Sequence, residues 1–196
     1  RHRIEDGVDR GITSRQGLIA EGRGEAFDYL LGERTIPSAD DAARAAAALL
    51  LLADRPVLSV NGNVAALVPE ETVDLAAAVD ADIEVNLFNR TDERMRAIVT
   101  HLRERGADEA GVAVRGLDAD ARIPGLDHER AKVDADGIGG ADVVVVPLED
   151  GDRAEALAAM GKSEVVIDLN PLSRSAQAAT VPIVDNVLRA VPNVAD

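Results

Sequence analysis

Apolar residues fall along this chain in short runs separated by longer segments of helical period. Val57–Val60, Ile83–Phe88, Asp142–Val146, Val165–Leu169 and Val181–Val184 are short and rich in Val and Ile, and Val112–Val114 is a shorter run of the same kind. A run such as Val143-Val144-Val145-Val146 leaves no face for water, which predicts strands covered on both sides. Between the runs, Glu70–Val79, Asp92–Arg105 and Arg153–Met160 predict helices, and Asp185-Asn186 opens another ending near Val191. Thr91 is placed to cap the helix from Asp92, but Arg94 stands where a capping box needs an acid or amide. Asp40–Asp54 carries a long Ala-Leu stretch and stops at Arg55-Pro56, because a residue before proline leaves helical geometry. Its apolar face would serve as a seam between chains or as cover for the sheet. Residues 1–31 predict helix interrupted by Gly7, Gly11 and Gly17, with Thr13 or Ser14 capping a second helix through Ala26, Phe27 and Leu30. Residues 116–140 hold many Gly, Asp and Pro positions and predict a long loop.

Strand–helix alternation predicts an α/β fold: a Rossmann-like, mostly parallel sheet flanked by helices, with an N-terminal helical segment. We expect residues 1–196 to form a single domain. Aromatic residues make up only 2% of the chain (Phe27, Tyr29 and Phe88), so the core must be built from Val, Leu, Ile and Ala.

Charge narrows the choice of partners. Asp and Glu number 36 against 21 Lys and Arg, for a net charge of −15, and only Lys132 and Lys162 are lysines. Such a surface repels phosphate backbones and argues against nucleic acid. It is tolerable where molar salt shortens the Debye length to about 3 Å, and with so few lysines we expect a halophile's cytoplasmic protein; the rival reading is an acidic protein of ordinary cytosol. There is no cysteine, which removes disulfides, thiolate catalysis and cysteine-held metals. No apolar run approaches the roughly 20 residues that span a bilayer, so no membrane is expected. No charged-then-apolar leader opens the chain; residue 1 is not Met, from which we expect some N-terminal sequence to be missing.

Polar residues cluster where strands end: Asn61 and Asn63, Asn86–Arg90, Asp150 and Asp152, Asp168 and Asn170, Asp185 and Asn186. In an open parallel sheet these ends share one rim, where ligands bind. The elbow from Asp168 through Asn170 and Pro171 to Ser173 joins a strand end to a helix start, with Arg174 beside it. It suits a nucleotide, whose phosphates take helix N–H groups, or it is an ordinary turn capped by Ser173. In Gly22-Arg23-Gly24 the flanking glycines free Arg23 to reach an anion, or mark a helix break with a solvated arginine. Asp150-Gly151-Asp152 would hold Mg²⁺ against a triphosphate, or cap the next helix. His128 is a candidate acid–base group or phosphate contact, or a surface residue; His2 and His101 read as solvent-facing. Three His and no Cys speak against zinc. No GxGxxG follows a strand and no GxxxxGK[ST] occurs, which weighs against an NAD(P) oxidoreductase and a P-loop ATPase.

Longer blocks carry a resemblance. Gly17-Leu18-Ile19-Ala20 with Gly22-Arg23-Gly24-Glu25-Ala26-Phe27-Asp28-Tyr29-Leu30, Ser59–Pro69, Glu84-Val85-Asn86-Leu87-Phe88, Arg122–His128, Pro147–Arg153, Asp168–Arg174 and Ile183-Val184-Asp185-Asn186 resemble the archaeal phosphopantothenate synthetases (4-phosphopantoate–β-alanine ligases) over nearly the whole chain. The resemblance implies a homodimeric enzyme of coenzyme A biosynthesis. It would join 4-phosphopantoate to β-alanine with ATP and Mg²⁺, releasing AMP and pyrophosphate, by way of an acyl adenylate. It places ATP contacts at Arg1, Arg23, Asp168, Leu169, Asn170, Arg174, Ser175, Asn186 and Val187. Asn61, Asn63, Arg90, His128 and Asp150 remain as candidates for the acid substrate or for catalysis. Two positions depart from the pattern: Glu21 precedes Gly22 where the family often has His, and Ala154 stands where it often has Thr. The competing reading is a regulatory module that binds ATP without turnover.

Overall fold

The computed structural model describes residues 2–148 and 150–196. Its strands are β1 (Pro56–Val60), β2 (Asp82–Val85), β3 (Val114–Arg115), β4 (Ala121–Arg122), β5 (Lys132–Val133), β6 (Val143–Pro147), β7 (Ser163–Ile167) and β8 (Val181–Ile183). Its helices are α1 (His2–Asp9), α2 (Arg15–Leu31), α3 (Pro37–Leu51), α4 (Gly62–Leu67), α5 (Pro69–Ala78), α6 (Asp92–Leu102), α7 (Asp108–Ala110), α8 (Gly151–Ala159), α9 (Arg174–Ala178) and α10 (Val187–Ala195). Six strands form one sheet in the order β3-β2-β1-β6-β7-β8, and every neighbouring pair in it is parallel. The expected α/β fold with its N-terminal helical segment is therefore present.

Both faces of the sheet are covered, as the Val runs require. On one face Leu58, Val60, Ile83, Val85, Val145 and Ile167 meet the apolar sides of α3, α5, α6 and α10. Helix α3 buries Ala39, Ala43, Ala46 and Leu50, and so acts as cover for the β8 side of the sheet. On the other face Val57, Val144, Val146 and Val166 pack on Leu157 of α8 and on Ile123, Leu126, Val133 and Ile138.

Those last four residues correct one expectation. Residues 116–140 are not a bare loop: β4 and β5 pair antiparallel, and a helical turn covers Glu129–Ala131. The four apolar side chains follow neither a helical nor an alternating period, which hid a segment whose role is to cover the sheet. Other differences are local. Asn61 caps α4 directly after β1, where only a polar turn was expected. Helix α6 ends at Leu102, short of Arg105, because Arg105 and Gly106 leave helical geometry, Gly106 at φ 104°. Strand β2 stops at Val85, and β3 is Val114–Arg115 rather than Val112–Val114. Helix α3 starts at Pro37, whose ring suits a first helical position, and α10 continues past Val191 to Ala195. His101 is buried, not solvent-facing: its Nδ1 lies 3.1 Å from an Arg10 guanidinium nitrogen, and burial lowers its pKa.

The second face also holds charge. Arg153 of α8 is fully buried and donates to the Ser59 hydroxyl of β1 at 3.2 Å. Glu84 of β2 accepts from the Ile138 and Asp134 backbone N–H groups at 2.6 and 3.2 Å, which pins the 116–140 cover to the sheet. Glu164 of β7 is buried in the electrostatic reach of Arg153. Burial pushes both glutamates up to about 7 and brings the guanidinium down to about 10. A carboxyl raised in the folded state keeps its proton while the unfolded chain loses it, so stability falls as pH rises from about 4.5 to about 7. We expect the urea midpoint to drop across that range, and Glu164→Gln to flatten the drop. Identical pH slopes for the two proteins would contradict this account.

Candidate active site

Strands β1 to β3 run outward in one direction and β6 to β8 in the other, so the order reverses between β1 and β6. The chain leaves these two strands in opposite senses and opens a crevice beyond their carboxyl ends. A cleft of about 560 Å³ lies there, lined by residues that follow β1, β2, β6 and β7. Asn61 holds its base. The Asn61 side-chain oxygen accepts from the Asn63 and Val64 N–H groups at 3.0 and 3.1 Å and so starts α4. Its amide nitrogen donates to the Pro147 and Leu148 carbonyls at 3.0 and 3.2 Å, across the switch point. Leu148 sits at φ 54°, a left-handed conformation that a branched-chain residue adopts only when its surroundings hold it there.

Helix α2 roofs the cleft. Ser14 caps it, accepting from Gly17 N–H at 3.3 Å. At this end Thr13 donates to the Asn63 side-chain oxygen at 2.5 Å, and the Asn63 amide donates to the Gly17 carbonyl at 3.0 Å. A side chain at Gly17 would stand 2.3 Å from that Asn63 oxygen, so the close approach requires glycine. Further along, Gly24 passes over Leu169, and a Cβ there would lie 3.5 Å from its methyl group. At the far end the Asp28 carboxylate accepts from Asn186 at 3.0 Å and from Arg189 at 2.6 and 3.2 Å. The roof thus spans the rim from the end of β1 to the start of α10.

Several residues singled out in the sequence meet in this cleft: Arg23, Asn61, Asn63, Asp150, Asp168, Leu169 and Asn170 all line it. The elbow forms as expected, with Ser173 capping α9 through Ala176 N–H at 3.1 Å and Asp168 accepting from Asn170 N–H at 2.9 Å. Arg23 is exposed and makes no ion pair or hydrogen bond with another described residue. Asn61 and Asn63 spend their side chains on the scaffold contacts above.

Others stand apart from the cleft lining. Arg174 grips Glu155 with two bonds of 2.9 and 2.7 Å on the outer surface. Ser175 is buried behind the elbow, 3.3 Å from an Asp168 oxygen. Asn186 caps α10 and holds Asp28, while the Val187 side chain belongs to the core. Arg90 donates to the Gly116 carbonyl at 2.6 Å. His128 stacks on Phe88 with ring centres 5.5 Å apart, and its Nε2 lies 3.2 Å from Asp152. Arg1 lies outside the described residues. Asp150 pairs with Arg130 at 3.2 Å, so both acids of Asp150-Gly151-Asp152 are engaged. Among the described residues no group of three or more His, Asp or Glu gathers to hold a metal ion.

Two arginines of the cleft were not singled out in the sequence. Arg130 is buried beside Asp150, and desolvation lowers its pKa to about 10. Arg94, in the first turn of α6, donates to the Asn89 and Ile12 carbonyls at 2.6 and 3.2 Å. A signal for Arg94 was present: a cation in a helix's first turn opposes the dipole, and it occupied the slot a capping box would give to Glu or Gln. Arg130 gave no such signal, because nothing in its local sequence shows burial.

Strand order, switch point and rim cleft define a Rossmann-like α/β protein with a site at its carboxyl edge. A family profile described as phosphopantothenate/pantothenate synthetase matches residues 38–196. A Thermococcus onnurineus protein named 4-phosphopantoate–beta-alanine ligase is 58% identical over 196 residues, which are all of this chain and 74% of that relative. Proteins of the same name from Thermococcus kodakarensis and Methanosarcina mazei are 58% and 56% identical, again across the whole chain and over 74% and 75% of their own lengths. The chain belongs to the phosphopantothenate/pantothenate synthetase family.

Asn61 yields a test of the scaffold. Asn61→Asp keeps the cap on α4 but turns a carboxylate towards two carbonyl oxygens and removes their donor. We expect a loss of about 2 kcal/mol in urea unfolding, the range for buried groups left unpaired. An unchanged midpoint would show that the amide bridge does not hold the switch point.

Proposed function

We propose that this protein joins 4-phosphopantoate to β-alanine at the expense of ATP, releasing AMP, pyrophosphate and 4′-phosphopantothenate. The observation that carries the proposal is a rim cleft with three arginines in a chain of net charge −15, in a family whose relatives bear the ligase name. Nothing in the cleft or the relatives favours the competing non-catalytic module.

A carboxylate and an amine do not condense unaided, because oxide is a poor leaving group. In our reading a carboxylate oxygen of the acid attacks the α-phosphorus of ATP, and pyrophosphate leaves. The β-alanine nitrogen, once it has lost a proton to solvent or to a base we do not assign, attacks the acyl carbon. AMP leaves with the bonding electrons. Both steps build negative charge on oxygen, so fixed donors lower the barrier most. Arg23 reaches the polyphosphate from the roof, while Asp168 and Asn170 hold the nucleoside from the elbow. Arg174 joins them only by leaving Glu155. Mg²⁺ accompanies the triphosphate, and no protein ligand is assigned to it. Orientation of three substrates in one cleft supplies much of the remaining rate. Homodimer assembly and a salt-rich archaeal cytoplasm complete this reading.

The test is one incubation of the protein in molar KCl with ATP, Mg²⁺, 4-phosphopantoate and β-alanine, read by mass spectrometry. AMP together with phosphopantothenate is expected; ADP as the nucleotide product, or ATP bound and uncleaved, would overturn the proposal. Arg23→Ala should weaken ATP use, as kcat/KM, by about 10- to 100-fold, the usual cost of one charge-assisted contact, with the fold intact. A folded variant with wild-type ATP kinetics would remove Arg23 from the site.

A further inference from the structure

The cleft has two ends, and each carries an arginine without an acidic partner among the described residues. At the β7 end the lining holds Asp168, Leu169, Asn170 and Ser173, and α2 crosses it with Gly24 over Leu169 and Arg23 next in the chain. At the β2 end Arg94 stands with Leu87, Phe88 and Asn89. Two further strands, β1 and β6, separate β2 from β7, so the two ends lie about 14 Å apart at the usual spacing between strands.

We propose that Arg94 forms a separate anion subsite, at the β2 end of the cleft, that takes the phosphate monoester of the acid substrate. This inference rests on the ligase reading above and gives that substrate a direction. The acid carries a carboxylate at one end and a phosphate at the other. Only the carboxylate reacts, so it must face the nucleotide at the β7 end. The phosphate then points away, along the cleft, towards β2.

Four observations place Arg94 there. Its terminal nitrogens donate only to backbone carbonyls, and no described carboxylate pairs with it. By contrast Arg10, Arg44, Arg105, Arg115 and Arg189 all pair with acids. The side chain is half-buried, and lost solvation alone lowers its pKa, with no acid to offset it. It occupies the first turn of α6, where the helix dipole disfavours a cation and favours an anion, so a bound phosphate would satisfy both the arginine and the helix end. Finally, bare backbone makes room for its head: a Cβ at Gly62 would lie 3.0 Å from an Arg94 nitrogen and 2.6 Å from the Ile12 carbonyl. Arg90, the earlier candidate for this phosphate, also bonds a backbone carbonyl, that of Gly116, but unlike Arg94 it does not line the cleft.

Calorimetric titration of 4-phosphopantoate and, separately, of ATP into wild type and Arg94→Gln tests the subsite. We expect the acid to bind about 100-fold more weakly to the variant, from loss of a charged phosphate contact, with ATP affinity unchanged. Unchanged affinity for the acid, equal losses for both ligands, or a wild type that does not bind the acid would overturn the subsite. If Arg94→Gln does not fold, Arg94→Lys keeps the charge without the fork and should loosen the acid alone by about 10-fold; unaltered binding would overturn the proposal equally. Failure of the ligase reading looks different: wild type would bind the acid through Arg94 yet form no phosphopantothenate with ATP and β-alanine.

Discussion

A single carboxamide holds the place where this sheet changes direction. Asn61 accepts two N–H groups to begin α4 and donates two bonds to the carbonyls that end β6. No other side chain of its size has both a double acceptor and a double donor, and only that combination ties a helix start to a neighbouring strand end. Leu148 keeps its left-handed backbone within this tie. The neighbouring Asn63 then positions the roof through Thr13 and Gly17. The opening of the cleft therefore descends from one residue at the end of β1.

Charge follows a similar economy. The surface is strongly acidic, and several arginines, Arg10, Arg44, Arg105 and Arg174 among them, are tied to acids there. Around the cleft the balance reverses locally, because Arg23 and Arg94 keep their charge uncompensated. A phosphorylated acid and a nucleotide are both polyanions, and a globally negative protein must concentrate its cations to bind them. At Arg94 burial sharpens the effect, since a guanidinium partly removed from water interacts more strongly with whatever anion reaches it.

Strands were the most legible part of the fold. Val143–Val146 and Val165–Ile167 need cover on both faces, and that requirement alone pointed to a parallel sheet with layers above and below. Caps were legible too: Ser14, Thr91, Ser173 and Asn186 each start the helix that follows, and for each the side-chain oxygen accepts a backbone N–H. The cover formed by residues 116–140 was not, because Ile123, Leu126, Val133 and Ile138 have no period, and Glu84 pins that cover from a distant strand. His101 misled for a related reason: its partner, Arg10, is 91 positions away. In the cleft, polar strand ends announced the rim and the elbow, while Arg130 drew its place from burial that no local pattern records.

Helix α2 contributes no side chain to either hydrophobic core, and Asp28 is its one buried residue. Its seat is made chiefly of polar bonds at its two ends. Its side chains belong to neither core, so its release need not melt the sheet. The amides of this helix would then exchange with solvent through a local opening rather than through global unfolding. A cleft roofed this way can admit and release its ligands while the strands beneath stay folded.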